Sequence, residues 1–158
     1  AQLRDDTEET VIMGKQQKGV ILYLDVQESL QTIRYMAHAG DRKPMHSSSI
    51  GKAVLGSLSD KDLQKWLASR PLPAMTPNTL DTPERLIRDL QESRQRGYYM
   101  TQGESVADAN AIAVTVCVNS ELLGIAVAGP AARMAARIDD HARRLLAARQ
   151  EIERRFQG

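Results

Sequence analysis

The chain holds one cysteine in 158 residues, Cys117, so no disulfide forms within it and the composition suits a reducing compartment. No apolar run approaches the roughly 20 residues that a membrane-crossing helix needs. Charge of one sign is also missing: 21 Lys and Arg against 20 Asp and Glu leave a net +1. That balance gives no general attraction to nucleic acid or to an anionic membrane. The three histidines, His38, His46 and His141, are far apart and in no ligand spacing, so no metal site is expected. Aromatic residues make up only 4%, and Tyr23, Tyr35 and Trp66 read as core or interface residues rather than a platform for stacking bases. The first residues lack the basic and apolar regions of a secretory signal, and the chain does not start with Met. The expectation is one soluble, cytoplasmic domain, cut from a longer protein.

Apolar residues make up 42% of the chain, enough for a sizeable core. Their order is mixed α and β. Residues 10–13 and 20–24 read as two strands joined through 15–19, and 30–37 alternates as a third, closed by Gly40-Asp41. A helix is expected over 48–56. Another starts at Ser59, where Ser59 and Asp62 match a capping box, and it stops at Pro71. Thr82-Pro83 opens a third helix that ends at Gly97, followed by a short strand over 98–100. Strands at 111–118 and 122–128 flank a turn at Asn119-Ser120, and a last helix covers 138–156.

The two faces of the 111–128 strand pair differ. Side chains alternate across a strand, so Ile112, Val114, Val116 and Val118 share a core face with Leu123, Ile125 and Val127. The other face reads Ala111, Ala113, Thr115, Cys117, Gly124, Ala126 and Ala128. A tight hairpin puts Ala111 opposite Ala128, Ala113 opposite Ala126 and Thr115 opposite Gly124. Either a helix packs at close range on this small-residue face, or a cavity lies above it.

The segment Met45-His46-Ser47-Ser48-Ser49-Ile50-Gly51-Lys52-Ala53 offers a way to close such a cavity. It runs into an apolar helix whose first N–H groups lack internal partners and carry partial positive charge. Such a start seats a small anion, although serine is equally common there as a plain cap.

These blocks, with Leu72-Pro73-Ala74-Met75-Thr76-Pro77-Asn78-Thr79, Arg94-Gln95-Arg96-Gly97-Tyr98 and Val127-Ala128-Gly129-Pro130, resemble the C-terminal effector-binding domain of IclR-type bacterial transcriptional regulators over nearly the whole chain. The resemblance implies an α/β (α+β), GAF-like domain, a curved and mainly antiparallel sheet with helices on both sides. It implies a small carboxylate effector, a homodimer or homotetramer, and contact with operator DNA only through an N-terminal winged helix-turn-helix that this chain does not contain. It implies no cofactor and no enzymatic activity. Carried over position by position, the effector site is Ser49 and Ile50 at the helix start, Thr32 and Tyr35 on the third strand, Thr101 after the Gly-Tyr pair, and Ala109, Ala111, Ala126 and Ala128 on the last strands. The carboxylate is expected to meet N–H groups and hydroxyls from Ser47 to Ile50, and Asn110, Thr101 or Ser105 to orient a second polar group. Three of these alanines lie on the small-residue face derived independently above.

Departures from the family pattern shift the expected ligand. Thr101-Gln102-Gly103-Glu104 and Asp108-Ala109-Asn110-Ala111 stand where many relatives have an acidic run and a Gly-x-x-Cys, and Ala126 and Ala128 stand where serine is common. A site with fewer polar handles points to an aromatic or branched carboxylic acid. His46 is read as bonding backbone at a turn, Cys117 as a small buried packing residue, and Glu104 and Asp108 as solvated. The stripe Ile138, Ala142, Leu145, Ile152 and Phe156 is expected to pack on the domain or on another subunit, with the arginines of that helix on a solvated face. Two other functions stay open: an enzyme acting on a small acid with only Thr115 or Cys117 facing the cavity, or a pure dimerisation module.

Overall fold

The computed structural model describes residues 1–156. Among the described residues, six helices and six strands follow one another in runs: α1 (Gln2–Thr7), β1 (Thr10–Gln17), β2 (Val20–Gln27), β3 (Arg42–Pro44), α2 (Ser49–Gly56), α3 (Asp60–Ser69), α4 (Pro83–Arg96), β4 (Tyr99–Gln102), β5 (Ala109–Val118), β6 (Glu121–Pro130), α5 (Ala131–Ala136) and α6 (Ile138–Phe156). The strands form one curled sheet in the order β3-β2-β1-β6-β5-β4, antiparallel throughout. Helices α2, α3 and α4 cover one face, where Ile50, Leu55, Leu63, Leu67, Leu86 and Leu90 are buried with Ile12 and Ile21. Helices α5 and α6 cover the other, where Met134, Ala142 and Leu145 meet Ile112, Val114, Val116, Ile125 and Val127. This is the mixed architecture expected, with helices on both sides.

Local chemistry explains the helix limits. Ser48, Ser59 and Thr82 each accept a hydrogen bond from the backbone N–H three residues on, at Gly51, Asp62 and Arg85. Pro83 sits at the first position of α4, and Gly97 closes it with φ 97°. The β5–β6 hairpin turns through Asn119 and Ser120, both with positive φ (51° and 67°). That twist matches the flanking strands and fixes the pairs Ala111–Ala128, Ala113–Ala126 and Thr115–Gly124.

Three expectations need correction. Residues 30–37 form no strand. Ser29 Oγ accepts from the Gln31 N–H and donates to the Glu8 carbonyl, turning the chain away from the sheet after β2. Leu30, Ile33 and Met36 are then 81%, 73% and 61% exposed, so their spacing reflects no buried face, and Arg42–Pro44 pairs with β2 instead. Cys117 is exposed rather than buried, because it pairs with Leu122 near the hairpin tip where that face is open. Glu104 is buried rather than solvated, for reasons given below. Helices α1 and α5, six residues each, are too short to leave a periodic signal in the sequence.

The small-residue face resolves into both of its alternatives, at opposite ends. At Gly124 a Cβ would come within 2.4 Å of Ile50 Cγ2, so α2 packs directly there. At Ala111, Ala126 and Ala128, beside the start of that helix, a cavity opens.

Candidate functional site

The cavity lies between the first residues of α2 and the curled sheet. Its floor is Ile12 of β1, Ala111 of β5, and Ala126 and Ala128 of β6. Ser47, Ser48 and Ser49 form the helix edge, Tyr23 and Tyr35 stand on one side, and Thr101, Ser105, Val106, Ala109 and Asn110 form the opposite wall. The volume is about 30 Å³. A water molecule needs roughly 10–15 Å³ on that scale, so the cavity is small, with the exposed Val106 at its rim.

Polar groups at the helix edge are arranged as acceptor and donor. Ser48 Oγ is taken up by the Gly51 N–H at 3.3 Å. Ser49 and Ile50, the first two helical residues, have N–H groups with no carbonyl one turn earlier to bond. Ser47 Oγ is fully buried and has no hydrogen-bond partner among the described residues. An unpartnered buried hydroxyl costs on the order of 1–3 kcal/mol unless something supplies the missing bond. Burial, with Tyr35 and Asp41 close by, pushes the Tyr23 hydroxyl well above its ordinary range, so it stays a neutral donor. Gly51 is required here: a Cβ would lie 2.1 Å from the Met45 carbonyl oxygen, and only glycine lets the helix start so close to the preceding turn.

The remaining motifs brace this site. His46 Nε2–H donates to the Pro73 carbonyl at 2.8 Å, so the histidine bonds backbone, as expected. Thr76 Oγ1 donates to the Gly103 carbonyl and Thr79 Oγ1 to the Glu104 carbonyl, each at 2.6 Å. Thr79 Oγ1 in turn accepts the N–H groups of Met75 and Thr76. Thr10 Oγ1 donates to the Tyr35 carbonyl at 2.7 Å and holds that side of the cavity. Arg133, paired with the buried Glu9, donates to the Ile33 carbonyl at 2.8 Å.

Nine of the eleven residues expected from the sequence line this one cavity: Tyr35, Ser47, Ser49, Thr101, Ala109, Asn110, Ala111, Ala126 and Ala128. Thr32 does not, because it sits on the exposed turn that replaces the expected third strand. The Ile50 side chain does not either; it is buried against Gly124 and Gly14, and only its backbone faces the helix start. Sequence reasoning missed Ile12, Tyr23, Ser48 and Val106 as lining residues. Strand alternation carries a signal for Ile12, and the serine run carries one for Ser48. It also missed Lys52 and Glu104, paired across 52 positions at 2.8 Å, a contact with no local signal.

Among the described residues no Cys, His, Asp or Glu side chain lines the cavity, so none of them places a nucleophile against such a base there. Thr115 faces a separate groove beside Ala53, Tyr99 and Arg149. Among the described residues no group of three His, Cys, Asp or Glu side chains is placed to hold a metal, and no helix is long and apolar enough to cross a membrane. The arginines of α6 are paired with acidic neighbours: Arg143 and Arg144 with Asp140, Arg149 with Glu153, and Arg154 and Arg155 with Glu151. Hydrogen bonds from Arg144 and Arg143 hold the Asp140 carboxyl down at about 2.

Residues 1–154 match the family described as bacterial transcriptional regulator IclR C-terminal. The chain is similar to the HTH-type transcriptional regulator BhcR of Paracoccus denitrificans, 34% identical over 134 residues. The match covers 84% of this chain and 48% of that protein, so the chain spans about half the length of this curated relative. Among solved structures it resembles Thermotoga maritima IclR, with a TM-score of 0.90 and 25% identity over 98% of this chain and 64% of that one. An IclR homologue from Microbacterium hydrocarbonoxydans, complexed with 4-hydroxybenzoate, has the same fold, with a TM-score of 0.87 and 22% identity over 99% of this chain and 64% of that one.

Proposed function

The chain belongs to the IclR family of bacterial transcriptional regulators, as their C-terminal domain, and from that premise we propose that it senses a small carboxylic acid in the cavity at the start of α2. The observation that carries this reading is Ser47 Oγ, buried and unpartnered beside the free N–H groups of Ser49 and Ile50. A carboxylate seated there would accept from all three and meet the positive end of the helix. The apolar floor of Ile12, Ala111, Ala126 and Ala128 would receive the acid's carbon chain.

The cavity's size narrows the ligand. About 30 Å³ is room for roughly two or three waters, so a compact carboxylate enters with the least movement of the walls and the aromatic or branched acid suggested by the small-residue face needs more. The side chains of Tyr23, Tyr35 and Val106 occupy the space that the small floor residues leave free. A ring would enter only after the half-buried Tyr35 and the 46% exposed Val106 move outward. The Microbacterium homologue's 4-hydroxybenzoate makes that opened form worth including in the test.

Binding one form of the domain better than another shifts the population toward it. In the full-length protein that shift would reach a winged helix-turn-helix domain on operator DNA, through a homodimer or homotetramer. The exposed Leu30, Ile33 and Met36 offer apolar surface for a second copy.

The test is calorimetric titration of the purified domain with pyruvate, isovalerate and 4-hydroxybenzoate, against Ser47→Ala. Removing an unpartnered hydroxyl should leave the fold intact and weaken the bound acid about tenfold, the loss of roughly one charge-assisted hydrogen bond. Pyruvate is expected to bind more tightly than 4-hydroxybenzoate. Saturation by an acid with the same affinity in both proteins would remove the helix start from the site.

A further inference from the structure

Lys52 is fully buried, an unusual place for an ammonium group unless its donors are all satisfied. It meets three acceptors from separate parts of the fold: Glu104 Oε1 at 2.8 Å, Asp89 Oδ1 of α4 at 3.0 Å, and the Met100 carbonyl of β4 at 2.7 Å. The two carboxylates are unequal. The Asp89 side chain is 29% exposed, whereas that of Glu104 is 7% exposed and committed twice, since its Oε2 accepts the Gln102 N–H at 2.7 Å. Glu104 lies between Thr101 and Ser105, which line the cavity wall, and Lys52 lies one turn along α2 from Ser49, which lines its edge.

We propose that Lys52 is a positioning residue for the effector cavity: by gripping Glu104 from inside, it holds the turn at 102–106 over the helix start and so sets how tightly the acid is enclosed. This rests on the sensor reading above. Thr76 and Thr79 hold the same turn from the loop before α4, through the carbonyls of Gly103 and Glu104. Only the inner grip ties the wall to the helix that carries the anion seat. A carboxylate at 104 serves two donors at once, the Lys52 ammonium and the Gln102 N–H. A carboxamide has one acceptor oxygen and turns an N–H₂ toward the second donor, so Glu104→Gln breaks one of the two bonds and removes the charge that holds the wall, with almost no change in volume. Asp89→Asn removes the same charge from the same ammonium on the solvent-backed side, away from the wall.

The deciding experiment compares amide hydrogen exchange in the wild-type domain, Glu104→Gln and Asp89→Asn. Exchange at 102–106 should rise about tenfold in Glu104→Gln and less than about twofold in Asp89→Asn, with α6 unchanged in both. Wild-type protection of the turn in Glu104→Gln, or an equal loss throughout α6, would overturn the proposal by making Lys52 an ordinary core ion pair. If Glu104→Gln does not fold, Glu104→Asp gives the same readout, since it keeps the charge and withdraws it from the ammonium. In titrations with pyruvate and 4-hydroxybenzoate, an acid that binds wild type should bind Glu104→Gln about tenfold more weakly and Asp89→Asn within about twofold. Equal affinity in Glu104→Gln would also overturn it. Absence of binding by either acid to wild type would count against the sensor reading alone, and the exchange rates would still decide the grip of Lys52 on the wall.

Discussion

The two faces of the central sheet are built by opposite rules, although the same two strands supply both. Toward α6, β5 and β6 present Ile112, Val114, Val116, Leu123, Ile125 and Val127, and the helices answer with Met134 and Leu145, all buried. Toward α2 the same strands present Ala111, Ala113, Gly124, Ala126 and Ala128, and the helix answers with Ile50 on Gly124, serines at its start and a buried lysine. The first face is stabilised by the volume of its side chains. The second lets α2 approach closely enough for Ile50 to pack on Gly124, and it adds hydrogen bonds to a buried charge. The contrast shows where the fold can leave room. A packed face of branched residues has none to give, whereas a face of small residues keeps a cavity wherever the helix above it begins.

The sharpest way to break this comparison is to remove the charge from the α2 face. Lys52→Met keeps most of the side-chain length but leaves Glu104 buried without its cation. The expected cost is about 4 kcal/mol, a fall in melting temperature of roughly 12 °C for a chain this long. Lys52→Met combined with Glu104→Gln should recover part of that loss, since no uncompensated charge stays buried. Leu145→Ala asks the same of the α6 face. There the loss is the transfer energy and the void, about 3 kcal/mol, and no second substitution at a polar residue should restore it. Denaturant titration of the three variants measures both. A Lys52→Met cost below that of Leu145→Ala would mean that the α2 face, too, is held by volume.

The same contrast explains what was legible in the sequence. Alternation in 111–118 and 122–128 contained both faces, and the Asn119-Ser120 turn fixed their register, so the small-residue face was legible, though not whether a helix or a cavity lay over it, nor that Ile12 joins the floor. Caps at Ser48, Ser59 and Thr82 were equally readable, since each sits beside the backbone groups it serves. Long-range polar pairs were not. Nothing near Glu104 in the chain indicates that Lys52 waits for it, so a buried partner read as a solvated loop acid. The turn at 30–37 misled for a related reason: its apolar spacing imitates a strand, while the Ser29 hydrogen bonds that divert it reach back to Glu8 and Thr10. The size of the cavity was hidden too, because it depends on which way Tyr23, Tyr35 and Val106 point.

The smallest expected effect sharpens the comparison on the apolar side, where one polar residue breaks the rule. His141 of α6 is fully buried, and neither ring nitrogen has a hydrogen-bond partner among the described residues. Burial, with Arg137 adding to it, lowers its pKa from the ordinary 6.5, while Glu9 and Asp140 oppose the shift and Arg144 adds slightly to it. The folded state therefore takes up this proton less readily than the unfolded chain does. Stability from this group is fully present above about pH 6.5 and is lost as pH falls from there toward the folded-state value, with a slope of at most about 1.4 kcal/mol per pH unit. His141→Leu is close in volume and abandons no hydrogen bond, so at pH 7.5 it should be neutral or stabilising by about 1 kcal/mol. It should also remove the decline between pH 6.5 and 5.5, a range still above that of ordinary carboxylates. Melting curves of both proteins across that range give the answer. An identical decline in His141→Leu would assign the proton to another group and leave this histidine a neutral part of the α6 core.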